Sequence, residues 1–207
     1  MRLIRAAEHR RVPWKNGRGE TLEIAVAPDG ADQDGFAWHV SLAEIAGPGP
    51  FSCFPGVDRT LALLEGGPLR LQVGHGAPVD LPPGSPPLPF AGDLATEAWL
   101  LGGPALALNV MTRRDAVSHL LTRHATATRA EIGGAAPALL LCRSGEVRIT
   151  AGSESATLGP MDSLRLDPAD PAWRLQAEAP AVVYVAQFLP GTFTDGSGTS
   201  GRDRSTP

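Results

Sequence analysis

Short apolar runs broken by proline and glycine are the feature that most limits what this chain can fold into. The 207 residues include 24 glycines and 20 prolines, scattered between the apolar runs rather than gathered in a repeat. Both residues interrupt helices, whereas turns between short strands use them readily. No long stretch shows helical periodicity with capping residues at both ends. The pattern therefore predicts an all-β protein with many turns.

Residues 36–45, FAWHVSLAEI, show the alternation of a β-strand most clearly. In a strand, successive side chains point to opposite faces of the sheet. One predicted face is strongly apolar and the other is mixed. The first carries Phe36, Trp38, Val40 and Leu42, and the second carries Ala37, His39, Ser41 and Ala43.

The rest of the chain predicts strands in two similar halves. RTLALL and LRLQV, separated by the turn EGGP, predict a hairpin, and six further short strands follow residue 138. Residues 74–90 are too rich in proline and glycine for regular structure, so a loop is expected there. Residues 113–132 fit a helix or two strands, and their β-branched residues favour strands.

Evenly spaced short strands in two halves predict a double-stranded β-barrel used twice. The expected organisation is an N-terminal half over residues 1–115, which carries the ligand pocket, and a degenerate C-terminal half over residues 116–189. Residues 190–207 are rich in Gly, Ser and Thr and predict a disordered tail.

Charge and composition narrow the function classes. The chain has a net charge of −4 and a pI near 5.7, so it lacks the excess of basic residues that is typical of nucleic-acid-binding proteins. It also lacks a block of Lys and Arg residues that would predict attachment to a membrane surface. Charges break up the N-terminus, and the apolar runs are too short to span a bilayer. A cytoplasmic protein is expected. Cys53 and Cys142 are isolated and predict buried small residues rather than a disulfide.

Five histidines are present, without the His-x-His pair that cupin metal sites use. His119 and His124 are five residues apart, which places them on opposite faces of a strand or away from one another on a helix. We therefore expect no metal and no cofactor. No histidine lies at a sequence spacing from Cys53 that would indicate a general base, so no catalytic nucleophile is predicted either.

Residues 13–21, PWKNGRGET, contain Lys15, the one lysine among 18 basic residues. A glycine-rich turn of this kind is also compatible with a purely structural role. However, lysine is a compact point charge where arginine is a wide planar fork, so a retained lysine favours a confined pocket.

Two further stretches combine polar and aromatic residues. In GPFSCFPGVDRTLALL, Phe51 and Phe54 supply apolar walls, while Asp58 and Arg59 point to opposite strand faces. In LALNVMTRR, Asn109 and Arg113 share a face at period two. A semi-polar cavity fits these patterns. An exposed ion pair at 58–59 and an edge strand ending at the surface are the alternatives.

Taken in order, PWKNGRGET, EIAVAPDG, FAWHVSLAEIAGPGPFSCFPGVDRTLALLEG and FAGDLATEAWLLGGPALALNVMTRR resemble the HutD/Ves family over about residues 12–114. The resemblance implies a cupin-like fold with two barrel halves, a bicupin, in one compact cytoplasmic unit. It also implies an association with histidine utilisation, through binding of a pathway intermediate with a regulatory effect. Arg18 replaces a usual family glycine, and His39 replaces a usual arginine.

The resulting hypothesis is a non-metal protein that binds a small carboxylate of the N-formylglutamate or formiminoglutamate type. Cationic groups would neutralise carboxylates, the asparagines would orient an amide-like group, and aromatic rings would exclude water. The predicted ligand-binding residues are Trp14, Lys15, Asn16, Phe51, Arg59, Asn109 and Arg113.

Two other function classes stay open. One is a metal-free cupin isomerase or hydrolase with Glu23 or His39 as base and Lys15 as electrophile. The other is a scaffold that meets a partner through residues 79–90. The expected partner is the small carboxylate, with neither nucleic acid nor membrane, and a homodimer stays open.

Overall fold

The structure of the chain, a computed structural model, describes residues 1–13, 20–127 and 130–190. Within those ranges the chain forms nineteen β-strands and one 3-10 turn, Ala6–Glu8. The strands are β1 (Arg2–Ile4), β2 (Arg10–Pro13), β3 (Glu20–Ala27), β4 (Trp38–Ile45), β5 (Gly49–Pro50), β6 (Val57–Gly66), β7 (Leu69–Val73), β8 (Val79–Leu81), β9 (Leu88–Ala91), β10 (Thr96–Leu100), β11 (Ala105–Arg113), β12 (Val117–Thr126), β13 (Ala130–Gly134), β14 (Ala138–Ser144), β15 (Val147–Ala151), β16 (Glu154–Leu158), β17 (Ser163–Leu166), β18 (Trp173–Ala177) and β19 (Ala181–Pro190).

The strands form four antiparallel sheets. A six-stranded sheet has the order β2-β3-β4-β11-β6-β9, and a four-stranded sheet has the order β5-β10-β7-β8. The later strands form a five-stranded sheet, β1-β17-β14-β19-β12, and a second four-stranded sheet, β13-β18-β15-β16. The all-β prediction is confirmed, and no helix in the described ranges has the length and apolar character needed to cross a membrane.

The strand order repeats with an offset of eight. The pairings β4-β11-β6-β9 and β5-β10-β7-β8 recur as β12-β19-β14-β17 and β13-β18-β15-β16. We call β2 to β11 the N-terminal unit and β12 to β19 the C-terminal unit. All four sheets are open in the described chain, and the division into two barrel halves stays a prediction. Strand β1 belongs to neither series, because it pairs with β17 of the C-terminal unit.

Equivalent glycines start equivalent hairpin turns in the two units. Gly66 ends β6 with φ +93°, and a Cβ there would lie 2.2 Å from the carbonyl oxygen of Pro104. Gly145 follows β14 with φ +80°, and a Cβ there would lie 2.5 Å from the carbonyl oxygen of Pro180. A left-handed backbone in close contact with another chain segment requires glycine. The hairpin turn predicted at EGGP and the turn that follows β14 therefore have the same physical cause.

A shared apolar core joins the two units. Trp38 of β4 stacks on Phe188 of β19, with ring centroids 4.4 Å apart. Val40 and Leu42 lie in the same buried cluster, together with Tyr184 from the C-terminal unit. The face of β4 predicted to be apolar therefore packs between the units, which leaves its other face for the interior of the N-terminal unit.

Three local expectations have clear outcomes. Residues 113–132 do form strands, β12 and β13, as predicted. The loop expected over residues 74–90 is wrong in part, because β8 pairs with β7 and β9 pairs with β6 at sheet edges, where proline is tolerated. Cys142 is buried as predicted, but Cys53 is exposed, and both are free thiols. The tail predicted from residue 190 lies outside the described residues, except for Pro190 at the end of β19.

Candidate functional site

A cavity of about 550 Å³ lies inside the N-terminal unit. Its floor is the inward face of the six-stranded sheet, and residues 30–33 and 51–54 contribute to its walls. Strand alternation places His39, Ser41 and Ala43 of β4 on this face, opposite the shared core. The polar and charged side chains on the lining are Arg10, Arg11, Thr21, Glu23, Asp32, Gln33, His39, Ser41, Ser52, Arg59 and Asn109.

Arg59 of β6 is a buried arginine in this cavity, with only 7% of its surface exposed. Its Nη2 donates to Asn109 Oδ1 at 3.2 Å, and its Nη1 donates to the backbone carbonyl of Ser52 at 3.1 Å. Both acceptors are neutral. In the described part of the chain, no carboxylate lies within ion-pair distance of the Arg59 guanidinium. The cation is therefore hydrogen-bonded but not neutralised by those residues.

Three phenylalanine rings surround the same guanidinium. The Arg59 Cζ lies 5.3 Å from the ring centroid of Phe51, 5.5 Å from that of Phe54 and 5.1 Å from that of Phe90. Such distances allow cation–π attraction, and the rings keep water away from the charge. Burial lowers the pKa of Arg59 to about 10, so the group is still protonated at neutral pH.

An acid and an imidazole occupy another part of the lining. Glu23 of β3 and His39 of β4 are both mostly buried, and Glu23 Oε2 lies 3.1 Å from His39 Nε2. The guanidinium of Arg10 donates to Glu23 Oε1 at 2.7 Å. The pKa of Glu23 lies below its ordinary value, mainly because of the hydrogen bond with His39. Burial acts in the opposite direction but is the smaller effect. Glu23 is therefore a carboxylate at neutral pH.

Three of the predicted site residues line one cavity. Phe51, Arg59 and Asn109 lie on different elements, and tertiary structure brings them together. Arg113 was predicted on the Asn109 face but does not line the cavity. It comes at the end of β11, where its Nη1 donates to the carbonyl of Asp34 and its Nε lies 3.5 Å from Asp115. Arg113 therefore does not belong to the described lining, and its ligand-binding role stays a prediction.

The remaining predicted residues, Trp14, Lys15 and Asn16, lie outside the described residues, as does Arg18. Sequence reasoning named Phe54 as an apolar wall beside Phe51 but missed Phe90, and it named Glu23 and His39 only in an alternative. The alternation of β4 does place His39 on the inward face. Nothing in the sequence signals Phe90, which belongs to the stretch expected to be a loop.

Asp58, the neighbour of Arg59, points away from the cavity and accepts from Arg114 Nη2 at 2.8 Å. This agrees with the prediction that positions 58 and 59 lie on opposite faces. His119 and His124 also occupy opposite faces of β12, where His119 contacts Thr60 and His124 contacts Thr122. Within the described ranges, no group of three or more His, Cys, Asp or Glu side chains could hold a metal ion.

Sequence comparisons connect this chain to known proteins. A family model described as HutD matches residues 6–185. An uncharacterized 21.2 kDa protein from the hutC 3′ region of Pseudomonas putida is 34% identical over 184 residues, covering 86% of this chain and 93% of that protein. Protein Ves of Citrobacter koseri is 48% identical over 103 residues, covering 49% of this chain and 52% of that protein. The chain thus spans about half the length of Ves.

Solved structures agree with this result. A conserved protein of unknown function from Pseudomonas aeruginosa matches with a TM-score of 0.79 and 30% identity, over 91% of this chain and 98% of that chain. HutD from Pseudomonas fluorescens matches with a TM-score of 0.75 and 26% identity over the same shares, 91% and 98%. A cupin 2 conserved barrel domain protein from Leptotrichia buccalis, at 11% identity and a TM-score of 0.55 over 81% of this chain and 87% of that chain, shows the fold alone.

The resemblance drawn from the first half of the sequence is therefore confirmed and extends through the second half, and the cupin-like fold is confirmed with it. The chain belongs to the HutD family, a family linked to histidine utilisation.

Proposed function

We propose that the cavity of the N-terminal unit binds a small carboxylate intermediate of histidine degradation, of the N-formylglutamate or formiminoglutamate type, and that binding has a regulatory role. The observation that carries the proposal is Arg59, a buried cation bonded only to neutral groups within the described chain. The cavity in front of it is large enough for a small organic acid.

The energetic reasoning starts from the cost of burying a charge. An ionised group taken out of water without a counter-charge costs several kcal/mol, so buried charges normally have a charged partner. Arg59 has two neutral acceptors and three aromatic rings instead. A bound carboxylate would supply the missing charge, and bidentate geometry suits a guanidinium particularly well.

Other residues have assigned roles in the proposal. Asn109, whose Oδ1 accepts from Arg59, would orient an amide, formyl or formimino group with its amide nitrogen. Phe51 would cover the site against water. Lys15 would neutralise a second carboxylate, with Asn16 and Trp14 beside it. HutD from Pseudomonas fluorescens was solved in a formate condition, and formate is the smallest carboxylate.

Thermal unfolding with candidate acids tests the proposal. The acids are N-formylglutamate, formiminoglutamate, urocanate, histidine, glutamate and formate. A ligand at about a hundred times its Kd adds ~2.7 kcal/mol to the free energy of unfolding. For a chain of this length we expect the melting midpoint to rise by roughly 5–10 °C with at least one of the acids.

Matched variants identify the site. Arg59→Met and Lys15→Met should abolish the shift, whereas Arg70→Met should keep it, because Arg70 is exposed on β7 and pairs with Asp80. No shift with any acid in the parent protein, or an undiminished shift in Arg59→Met, would refute the proposal.

A second candidate function is favoured by the Glu23–His39 hydrogen bond inside the same cavity. In this alternative the protein is a metal-free cupin isomerase or hydrolase of a similar acid, with one of the two groups as base. The lowered pKa of Glu23 makes it a weak base, so His39 is the better candidate. Incubation of each acid with purified protein, followed by NMR, would show consumption that is lost in His39→Gln. Unchanged acid after prolonged incubation would exclude this candidate.

A further inference from the structure

A polar stripe crosses the inward face of the six-stranded sheet from Glu23 to Arg59. Glu23 of β3 is the cross-strand partner of Ser41 on β4, and Ser41 is the partner of Asn109 on β11. Asn109 in turn accepts from the guanidinium of Arg59. All four residues line the cavity. The stripe therefore has a carboxylate at one end, a guanidinium at the other and neutral polar groups between them.

The carboxylate end retains capacity to accept hydrogen bonds. Arg10 contacts one Glu23 oxygen and His39 contacts the other, while a carboxylate offers about four acceptor positions. The Arg10 side chain is 63% exposed, so solvent screens much of its charge. His39 Nδ1 is buried with no hydrogen-bond partner in the described chain. Glu23 and His39 together thus offer acceptors to a ligand that carries donors.

From this arrangement we infer that the ligand is dipolar, with a carboxylate at Arg59 and a positively charged, N–H-donating group at Glu23. The inference rests on the proposed function and names the class of ligand more narrowly. A dipolar ligand of this kind matches formiminoglutamate but not N-formylglutamate. A formimino group is a protonated amidine with several N–H donors, whereas a formyl group is a neutral amide with one.

The two ends of the stripe are held on separate strands of one sheet. Glu23 lies on β3, and the guanidinium of Arg59 lies beside Asn109, two strands away on β11. A ligand that contacts both ends therefore carries its two charged groups at opposite ends of the molecule.

Isothermal titration of two nearly isosteric ligands tests the inference. The probes are N-formyl-L-glutamate and N-formimino-L-glutamate, which differ in one oxygen replaced by a protonated nitrogen. We expect the parent protein to bind the formimino compound about tenfold more tightly or better, the effect of a charge-assisted hydrogen bond. Glu23→Gln, which keeps the side-chain shape, should reduce this preference to less than about threefold.

Glu97→Gln is the matched control, because Glu97 is exposed on β10 and the substitution removes the same charge. It should retain the full preference. Equal affinities in the parent protein, or tighter binding of the formyl compound, would overturn the inference and leave the proposed function standing. Absence of binding by both compounds would overturn the proposed function itself. If Glu23→Gln does not fold, the preference of the parent protein still decides the matter.

Discussion

The two units share one strand order but fill their interiors differently. Strands β6 and β14 each contain one β-bulge. Arg59 and Ala138 lie the same number of residues before these bulges, so the two positions are equivalent. Counted the same way, Asn109 of β11 corresponds to Val185 of β19. The guanidinium–amide pair of the N-terminal unit is thus replaced by two buried apolar residues, each at most 5% exposed.

A second pair of positions adds bulk to the C-terminal interior. Trp173 of β18 corresponds to Thr96 of β10. Each is the first residue of its strand and pairs with the last residue of the neighbouring strand: Trp173 with Ala151 of β15, and Thr96 with Val73 of β7. The buried apolar cluster of the C-terminal unit contains Trp173, Leu140 and Ile149. The same strand order therefore accommodates a guanidinium–amide pair beside a cavity in one unit and buried apolar residues at the equivalent inward positions of the other.

We expect the largest effect from Ala138→Arg. This substitution places an arginine in the C-terminal unit at the position equivalent to Arg59. Ala138 is 1% exposed and surrounded by apolar side chains, with no amide opposite it. We expect a loss of about 5 kcal/mol or more in the free energy of unfolding, measured by urea denaturation. Ala172→Arg, at an exposed position of the same unit, should cost less than about 0.5 kcal/mol. Equal effects of both changes would mean that position 138 does not face a closed apolar interior.

Trp173→Thr should have the next largest effect, because it gives the C-terminal unit the residue of the N-terminal unit. The ring is 4% exposed, and its Nε1 donates to the carbonyl of Ala135 at 3.2 Å. Loss of the ring leaves a cavity and should cost about 3–5 kcal/mol of unfolding free energy. Trp99→Thr, at a half-buried position on β10, should cost clearly less in the same denaturation experiment. A cost under 1 kcal/mol for Trp173→Thr would show that this interior is not tightly packed.

The next prediction concerns His119, which forms polar contacts between the two units. From β12 its Nδ1 contacts Thr112 of β11 at 2.7 Å, and its Nε2 contacts Thr60 of β6 at 2.8 Å. Burial holds its pKa at about 4, below the ordinary 6.5. The unfolded chain therefore takes up the proton first, and stability should fall by about 3 kcal/mol as the pH drops from about 6.5 to about 4.

Urea denaturation across this pH range measures the effect. His119→Asn should flatten the pH dependence. His124→Asn should change it less, because His124 is bonded to Thr122 within its own strand. Burial lowers the pKa of His124 as well, so this control shares the same direction. An unchanged slope in His119→Asn would assign the acid sensitivity to other groups.

The smallest expected effect on stability belongs to Arg59→Met, which makes the N-terminal interior more like the C-terminal one. The substitution removes a buried cation without a charged partner in the described chain, so the free energy of unfolding should stay level or rise by about 1 kcal/mol. Ligand binding should disappear in the same variant. A loss of more than 2 kcal/mol in the ligand-free protein would show that Arg59 is mainly structural.

Much of the site could be predicted where the reasoning was local. The alternation of β4 separated Trp38 and Val40 from His39 and Ser41, and the structure confirms both faces. The same logic pointed Arg59 inward. It does not extend to Arg113, because β11 ends there and the side chain is held by Asp34 and Asp115.

Other features depended on contacts that no local pattern contains. Glu23 meets His39 because the register of β3 and β4 pairs Glu23 with Ser41, which makes His39 its diagonal neighbour on the same face. Cys53 was expected to be buried, but its loop lies at the surface. Phe90 reaches Arg59 because β9 pairs with β6, which a proline-rich stretch does not suggest.

By itself, the sequence determined the all-β fold, the family and the inward direction of several polar side chains. These follow from turn residues and two-residue periodicity, which act between neighbours in the chain. The tertiary structure alone decided that Arg59 has neutral partners in the described chain and that Glu23 and His39 meet. It also decided that Arg59 and Asn109 line a cavity, while their counterparts in the C-terminal unit are buried among apolar side chains. Those properties depend on strand register and on side chains far apart in sequence, so they exist only once the sheets have paired.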